Sequence, residues 1–536
     1  MIKQANSSSS TARQRGQAIV IIAMGFILLL GFVGLVVDVA RVFVARGNLR
    51  RAVDSAGLAA AAQFRQNANV SDIQQAAWQY IYAHGVVADT QTFFDIAVIT
   101  PTVRIETCDT APGDATLCPP DANHLRRKLV RVKAEADVSM SFLQILGVQT
   151  VRIYAENLAE AAAVDVVLVI DASVSQAYDP PSASAYTSGA RPDLGCDPYS
   201  VGVELGLDSG LYTNACVAAC NNYPDPDDPR SCQPFGKVKK AAMQFIDQLY
   251  PQYDRVAVIS IDRQPQVIYN LGLDLNAAKN AIRNMRVSDH TVGDPGDPCP
   301  TINVGGERWK CTTSNMGRAL WEAGAQFGTP PFRDDSLWVV ITVGSGGADS
   351  TDGYVTADPD TELFGFCPGK DAQPFCRDNR WATHNISTSL SYDAEDYAYD
   401  KATYLGLAPD KTLAGHVPDG GLGVLMFSIG LGRKVVCTGG YDVYTVVNGV
   451  VTCVPSAGSP YVDPDTGYPN LAESFLRYVA FIGSTNDPTQ PDPCRPGGSP
   501  SPLGQQCGNY YFAPDANGLQ DIFLAIAGKI FTRISG

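Results

Sequence analysis

Cysteine is missing from the first 107 residues of this 536-residue chain, and all 14 cysteines lie between Cys108 and Cys507. Histidine is scarce: His84, His124, His290, His384 and His416 are scattered along the sequence. No C-x-x-C pair occurs, so the spacing of a zinc knuckle is absent and zinc is not expected. Positive charge is in deficit, with 40 Lys+Arg against 55 Asp+Glu and a net charge of -15. That excludes an extended phosphate-binding surface, and with it a nucleic-acid partner. It equally excludes a polybasic membrane-surface protein. G-x-S-x-G, H-E-x-x-H and P-loop sequences are absent, so no enzyme activity and no small-molecule substrate are expected.

Long apolar runs are lacking with one exception, Ala18 to Val37, about 20 residues without a charge. At about 1.5 Å per residue a helix of that length spans a bilayer core. It exceeds the roughly 7–15 residues of a signal-peptide core, and no small-x-small cleavage pattern follows, so a retained anchor is expected. Charge leaves its orientation open. Lys3, Arg13 and Arg15 precede the run, whereas Arg41, Arg46, Arg50 and Arg51 follow it. The cysteines decide the orientation. They form local sets in Pro/Gly/Asp-rich stretches: Cys108/Cys118, then Cys196, Cys216, Cys220 and Cys232, then Cys299/Cys311, Cys367/Cys376, Cys437/Cys453 and Cys494/Cys507. This is the pattern of disulfides stapling insertions in an oxidising compartment, so everything after about residue 38 is expected outside the cytoplasm. The two-member sets are expected to pair internally; the pairing within the four-member set is left open.

The patterning divides the chain into a polar cytoplasmic tail (1–17), a transmembrane helix (18–37), a helical extension (38–65), a small α+β module (66–162) and a large α/β domain (163–536). In the extension Ala52, Ala56 and Ala60 form a small-residue face, suited either to its own domain or to a partner helix. In the module Ile73–Gly85 reads as a helix, and Phe93–Thr107, Lys128–Met140 and Val148–Ala155 as strands. From Val164 onward, the near-continuous apolar runs Val164–Ile170, Arg255–Ile261, Leu337–Thr342 and Gly423–Ile429 alternate with helical stretches. Such runs are the signature of parallel strands buried on both faces. Gln176–Gln233, Val287–Lys310, Ser345–Gly420, Arg433–Pro469 and Ser484–Gly508 read as long insertions.

Two stretches resemble known families. Arg15-Gly-Gln-Ala-Ile-Val, Gly34-Leu-Val-Val-Asp-Val-Ala-Arg41 and Asn48-Leu-Arg-Arg-Ala-Val-Asp-Ser-Ala-Gly-Leu-Ala59 are similar to the TadG-like N-terminal region of Tad (tight adherence)/Flp pilus-assembly proteins. Leu129–Ala155 resembles the β module that follows there. The rest resembles a von Willebrand factor A (vWA) domain. Asp165-Val-Val-Leu-Val-Ile-Asp171-Ala-Ser173-Val-Ser175 matches its first strand and D-x-S-x-S loop, and Asp254-Arg-Val-Ala-Val-Ile-Ser its next strand. Thr313-Ser314-Asn-Met-Gly317 matches the second loop, and Tyr510-Tyr-Phe-Ala-Pro-Asp515 with the following helix matches the end of the domain. The fold class expected is α/β: an N-terminal transmembrane helix, a small α+β module, then a vWA-type Rossmann-like parallel sheet flanked by helices with disulfide-stapled insertions.

The vWA resemblance implies a metal-ion-dependent adhesion site with Asp171, Ser173, Ser175 and Ser314 as ligands. Carboxylate and hydroxyl oxygens suit a hard divalent cation, Mg²⁺ or Ca²⁺, which a partner's carboxylate completes. The third loop departs from the family's Thr-Asp-Gly, reading Thr342-Val343-Gly344, with Asp349 beyond it. The site is therefore degenerate. Pro224–Asp228, Asp358–Asp360 and Asp463–Asp465 lack calcium-loop spacing and read as solvated turns. Asp38 and Arg41 are expected to form a local ion pair. Together the resemblances imply a membrane-anchored protein assisting pilus assembly or anchoring, with envelope proteins as partners; the alternative is an adhesin. In pilins a Gly before the apolar helix is cut, with Glu five residues later. Here Gly16 precedes Gln17, but Ile21 stands in the glutamate position, so an uncut accessory rather than a polymerised subunit is expected.

Overall fold

The computed structural model describes residues 14–64, 69–83, 92–93, 96–118, 125–173, 176, 220–228, 230–262, 265–288, 314–333, 336–345, 348, 384, 386, 392, 394–432, 443–447, 450–454, 471–498, 501, 504–514 and 516–534. Helix α1 (Gln14–Ala62) runs 49 residues without interruption. Its first part bears the apolar run with its side chains outward: Ile22, Leu28 and Phe32 are 69%, 74% and 66% exposed. Among the described residues this is the one helix long and apolar enough to cross a membrane. Beyond Val37 its character changes. Ala45, Leu49, Ala52, Val53, Ala56 and Ala60 are buried at helical spacing and lie in the core of the adjoining module.

That module is a sheet of β1 (Thr92–Phe93), β2 (Ile96–Thr107), β3 (Lys128–Ser139) and β4 (Thr150–Ala161), antiparallel throughout. It shares its core with α1 and with α2 (Val70–Ala83), through Ile73, Ala77 and Ile81. The small-residue face of α1 thus packs on its own module. Gly57 is required there, since a Cβ would come within 2.4 Å of the Asn157 amide oxygen, while the amide nitrogen donates to Asp54 at 2.9 Å. The β3–β4 register is unbroken from Lys128↔Ala161 to Ser139↔Thr150.

Two residues after β4 the chain enters β5 (Val164–Asp171), all of it buried. Beside it lie β6 (Arg255–Ile261), β7 (Gln266–Gly272), β8 (Leu337–Gly344), β9 (Leu425–Leu431) and β12 (Tyr510–Ala513), in the spatial order β12-β9-β8-β5-β6-β7. Five strands are parallel and β7 is an antiparallel edge. This is the doubly wound order, reversing direction between β5 and β8. Alternate residues of β5 face opposite layers. Val166, Leu168 and Ile170 meet α3 (Phe235–Ile246), α4 (Leu275–Asn284) and α8 (Leu519–Ile534). Val167 and Val169 meet α5 (Met316–Phe327), α6 (Ala394–Gly406) and α7 (Leu471–Thr485). The sheet is Rossmann-like, with helices on both faces.

Helix α6 corrects the reading of Ser345–Gly420 as insertion throughout. A core helix lies inside it, with Ala398, Ala402 and Leu405 fully buried. A hairpin, β10 (Val443–Val447) with β11 (Val450–Val454), likewise lies within Arg433–Pro469. The disulfides Cys108–Cys118 and Cys494–Cys507 form as expected, and Cys220 pairs with Cys232 in the four-member set. The last two bridges are not peripheral staples: their sulfurs join the two core layers. Cys299/Cys311, Cys367/Cys376, Cys196, Cys216 and the Cys437/Cys453 pairing lie outside what is described.

Module and sheet are joined by buried charge. The Lys128 ammonium, wholly buried, lies 2.6 Å from the equally buried Asp254 carboxylate. Asp254 also accepts the backbone N–H of Val164 at 2.9 Å and of Tyr250 at 2.8 Å. Next to it, Arg255 makes a two-pronged pair with Asp165 at 2.8 and 2.6 Å. Arg333 donates to the carbonyls of Tyr253 and Arg126, one from each unit. Removing one partner of a buried pair strands the other charge, at a cost of about 3–5 kcal/mol. Lys128→Ala is therefore expected to lower the unfolding free energy by about that amount, measured by denaturant unfolding of the detergent-solubilised chain. A loss within 1 kcal/mol would show that the pair contributes little.

Candidate functional site at the carboxyl edge of the sheet

Open α/β sheets collect ligands where the strand order reverses, at the carboxyl ends of the strands. Here that point lies between the ends of β5 and β8, and the candidate residues gather around it. Asp171 ends β5, 1% exposed. One carboxylate oxygen accepts the backbone N–H of Ser173 at 2.8 Å; the other accepts the N–H of Ser345 at 3.0 Å and its hydroxyl at 2.7 Å. Asp171 therefore ties its own loop to the loop after β8. Ser173 and Ser314 are both buried. Ser314 sits just before α5, whose N-terminus is capped by the Asn315 side chain, accepting from Arg318 N–H at 3.0 Å. The Asn315 N–H donates to the Asp262 carbonyl at 2.9 Å, which fastens this loop to the end of β6. Gly317 in the same turn is dictated by close approach, because a Cβ there would fall 2.4 Å from the Tyr397 ring. Ser175 and Asp349 lie outside the described residues.

Val343 confirms the departure in the third loop: it is buried in the core layer and offers no oxygen. The residue that reaches Asp171 from this loop is Ser345, which motif matching passes over. Asp262 is a second such residue. It directly follows β6, and its carboxylate accepts the Ser288 hydroxyl at 2.7 Å. The signal for both was positional, as each is the first polar residue after a buried strand on the edge where sites form. Gln176, just past the D-x-S-x-S loop, is fully buried, and among the described residues its side-chain oxygen and nitrogen have no hydrogen-bond partner. The donor set is oxygen only. Each carboxylate oxygen has two acceptor positions, and the Asp171 oxygen bonded to Ser173 keeps one. The residues therefore fit a hard cation of the Mg²⁺ or Ca²⁺ kind.

Residues 16–63 match the family model described as putative Flp pilus-assembly TadE/G-like. The N-terminal segment is TadE/G-like. It covers the apolar run and nearly all of the part of α1 that packs on the module. No curated protein matches the chain. Solved structures with a similar arrangement include the vWF domain of the type V pili tip protein Mfa5 from Porphyromonas gingivalis (12% identity, 70% of this chain and 97% of that one, TM-score 0.29). The PilB minor pilin from Streptococcus sanguinis is another (11% identity, 83% and 80%, TM-score 0.31). A third is proximal thread matrix protein 1 from the mussel byssus with a zinc-occupied MIDAS motif (9% identity, 68% and 48%, TM-score 0.27). The chain thus spans about half the length of that last protein. The strand order and loop residues described above are this chain's own and do not rest on these likenesses.

Asp171→Ala leaves two buried N–H groups without their acceptor, at roughly 1–3 kcal/mol each. Its expected effect is a loss of roughly 2–6 kcal/mol in urea unfolding, whereas Asp171→Asn, which retains an acceptor oxygen, loses less. Equal losses would show that the hydrogen bonds, as distinct from the charge, are not what Asp171 contributes.

Proposed function

We infer that this is a non-enzymatic, single-pass protein of the cytoplasmic membrane whose vWA-type domain stands outside the cytoplasm and helps to assemble or anchor a Tad/Flp-type pilus. The observation that carries this reading is continuity: the TadE/G-like segment is the same unbroken helix that enters the module core. The extracytoplasmic orientation is supported by the disulfides, all of which follow the apolar run. Two of the four cations after the run, which left orientation ambiguous, have local partners. Arg41 hydrogen-bonds the Ser141 hydroxyl, and Arg51 donates to Asn48 at 2.6 Å. At the carboxyl edge, Asp171, Ser173, Ser175 and Ser314 are the residues that would hold a divalent cation. Such a cation supplies a positive charge for the carboxylate of an envelope or pilus partner. Deleting the protein should leave cells with missing or unstable pili under the electron microscope. Intact pili that fail to attach would support an adhesin instead, and an unchanged strain would overturn both.

The membrane edge has its own support. Asp38 does not simply pair with Arg41. Its carboxylate accepts the N–H groups of Ser141 at 2.9 Å, Phe142 at 2.8 Å and Leu143 at 2.6 Å, pinning the tight turn Leu143–Leu146 to the helix. Gly34 lets the turn lie close, since a Cβ there would meet the Phe142 ring at 2.6 Å. Phe142 thus sits beside the apolar run, and Ile145 and Leu146 are 83% and 79% exposed. A turn with such side chains, held at that depth, belongs in the outer rim of the bilayer. Ile145→Trp in proteoliposomes with acyl-brominated lipid is expected to add a strongly quenched fluorescence component. Quenching by aqueous acrylamide in place of the bromines would remove the turn from the membrane.

A further inference from the structure

Two of the five histidines, 32 positions apart in sequence, come together beside a third potential ligand. His384 precedes α6, Asp400 lies within it, and His416 follows it in the turn closed by the Leu413–Val417 bridge. His384 Nε2 and His416 Nδ1 each stand 2.7 Å from the same oxygen, Asp400 Oδ1. The two imidazole centroids are 3.8 Å apart. One ligand atom from each of the three residues lies within 4.8 Å of the others. The second oxygen, Asp400 Oδ2, accepts the Tyr392 hydroxyl at 2.8 Å. The side chains of His384, Asp400 and His416 are 19%, 12% and 10% exposed, so the cluster is mostly enclosed yet reachable from solvent.

Packing alone gives little reason for this arrangement. Two rings converge on one carboxylate oxygen with their centroids only 3.8 Å apart, and three separate segments of chain supply the groups. We propose that His384, Asp400 and His416 bind a divalent transition-metal cation, zinc foremost. Two imidazole nitrogens and one carboxylate oxygen are the protein ligands of many open zinc sites, with water or another donor in the remaining position. Imidazole favours zinc, copper, nickel or iron over Mg²⁺ and Ca²⁺, so this is chemically a different site from the all-oxygen edge at Asp171. Ligands about 2.0–2.1 Å from a tetrahedral ion stand about 3.3 Å apart. A modest outward swing of the two rings from Asp400 accommodates that spacing. Tyr392 then does what outer partners of metal carboxylates do, fixing the carboxylate through its other oxygen. The ion would clamp the segments on either side of α6 to one point on the helix.

The sequence concealed this site because its members are 16 residues apart on either side of Asp400, a spacing no compact metal motif uses. The test uses the purified full chain, stripped with chelator, loaded with Zn²⁺ and passed over a desalting column in millimolar Mg²⁺. One zinc per chain should remain, and the zinc-edge X-ray absorption spectrum should show two imidazoles and no sulfur. His384→Gln and His416→Gln are each expected to weaken zinc binding at least 100-fold. Tyr392→Phe should weaken it about 10–100-fold, and Asp171→Asn should leave it unchanged. Wild-type protein that retains no zinc overturns the proposal. So does a spectrum with sulfur or oxygen ligands only, or binding that Asp171→Asn abolishes while the histidine variants keep it. The spectrum decides the matter even where a histidine variant fails to fold.

Discussion

A carboxylate buried away from water has to be answered by charge and hydrogen bonds, and Asp254 is answered from three directions at once. The ammonium of Lys128 comes from the module, one N–H from the start of β5, and another from the turn that leads into β6. None of the three can leave without stranding a charge or a polar group in the interior. Asp165, with Arg255 and Arg333, repeats the arrangement one position along β5. The aromatic rings of Phe64, Tyr250 and Tyr253 close over the junction with centroids 5.2–5.5 Å apart. Helix α1, the module and the doubly wound sheet are consequently tied together, and the site at the opposite edge of the sheet inherits its placement relative to the apolar run of α1.

The elements legible in the sequence are those whose burial is apolar. β5, β6, β8 and β9 read as strands because both faces are covered, so nearly every side chain is aliphatic. Helix α1 reads itself through the change from an all-round apolar surface to a small-residue stripe. Helix α6 was hidden for the opposite reason. Its buried face includes Glu395, Asp396, Asp400 and Thr403, so the composition imitates an acidic loop. β7 was hidden as well. It is a half-exposed edge with Gln266 and Asn270 turned outward, and its pairing with β6 slips register twice.

The candidate site divides along similar lines. Asp171 and Ser173 were legible because a short motif follows a buried strand, and motif and strand support each other. Ser345 was not, because its link to Asp171 spans 174 residues and exists only once β5 and β8 are neighbours. Val343 marks where analogy with the family misleads. The family's carboxylate position is taken here by a core side chain, and the nearest loop polar group performs a holding task instead. The pairing of Cys220 with Cys232 had the same character: four cysteines allow three pairings, and only the packing of α3 against the preceding turn selects among them.

The unbroken β3–β4 register has a mechanical consequence. The ladder is tied at both ends. Near its Ser139–Thr150 end the adjoining turn is held to α1 by Asp38, and near its Lys128–Ala161 end it is held to the sheet by Asp254 and by direct continuation of the chain into β5. A pull on the carboxyl edge of the sheet, resisted at α1, therefore runs lengthwise along strands about 40 Å long. Both strands are drawn in the same direction, so the load runs along their two backbones in parallel and the ladder of twelve residue pairs is not peeled apart. The small module between the apolar run of α1 and the sheet is built as a tether that resists tension.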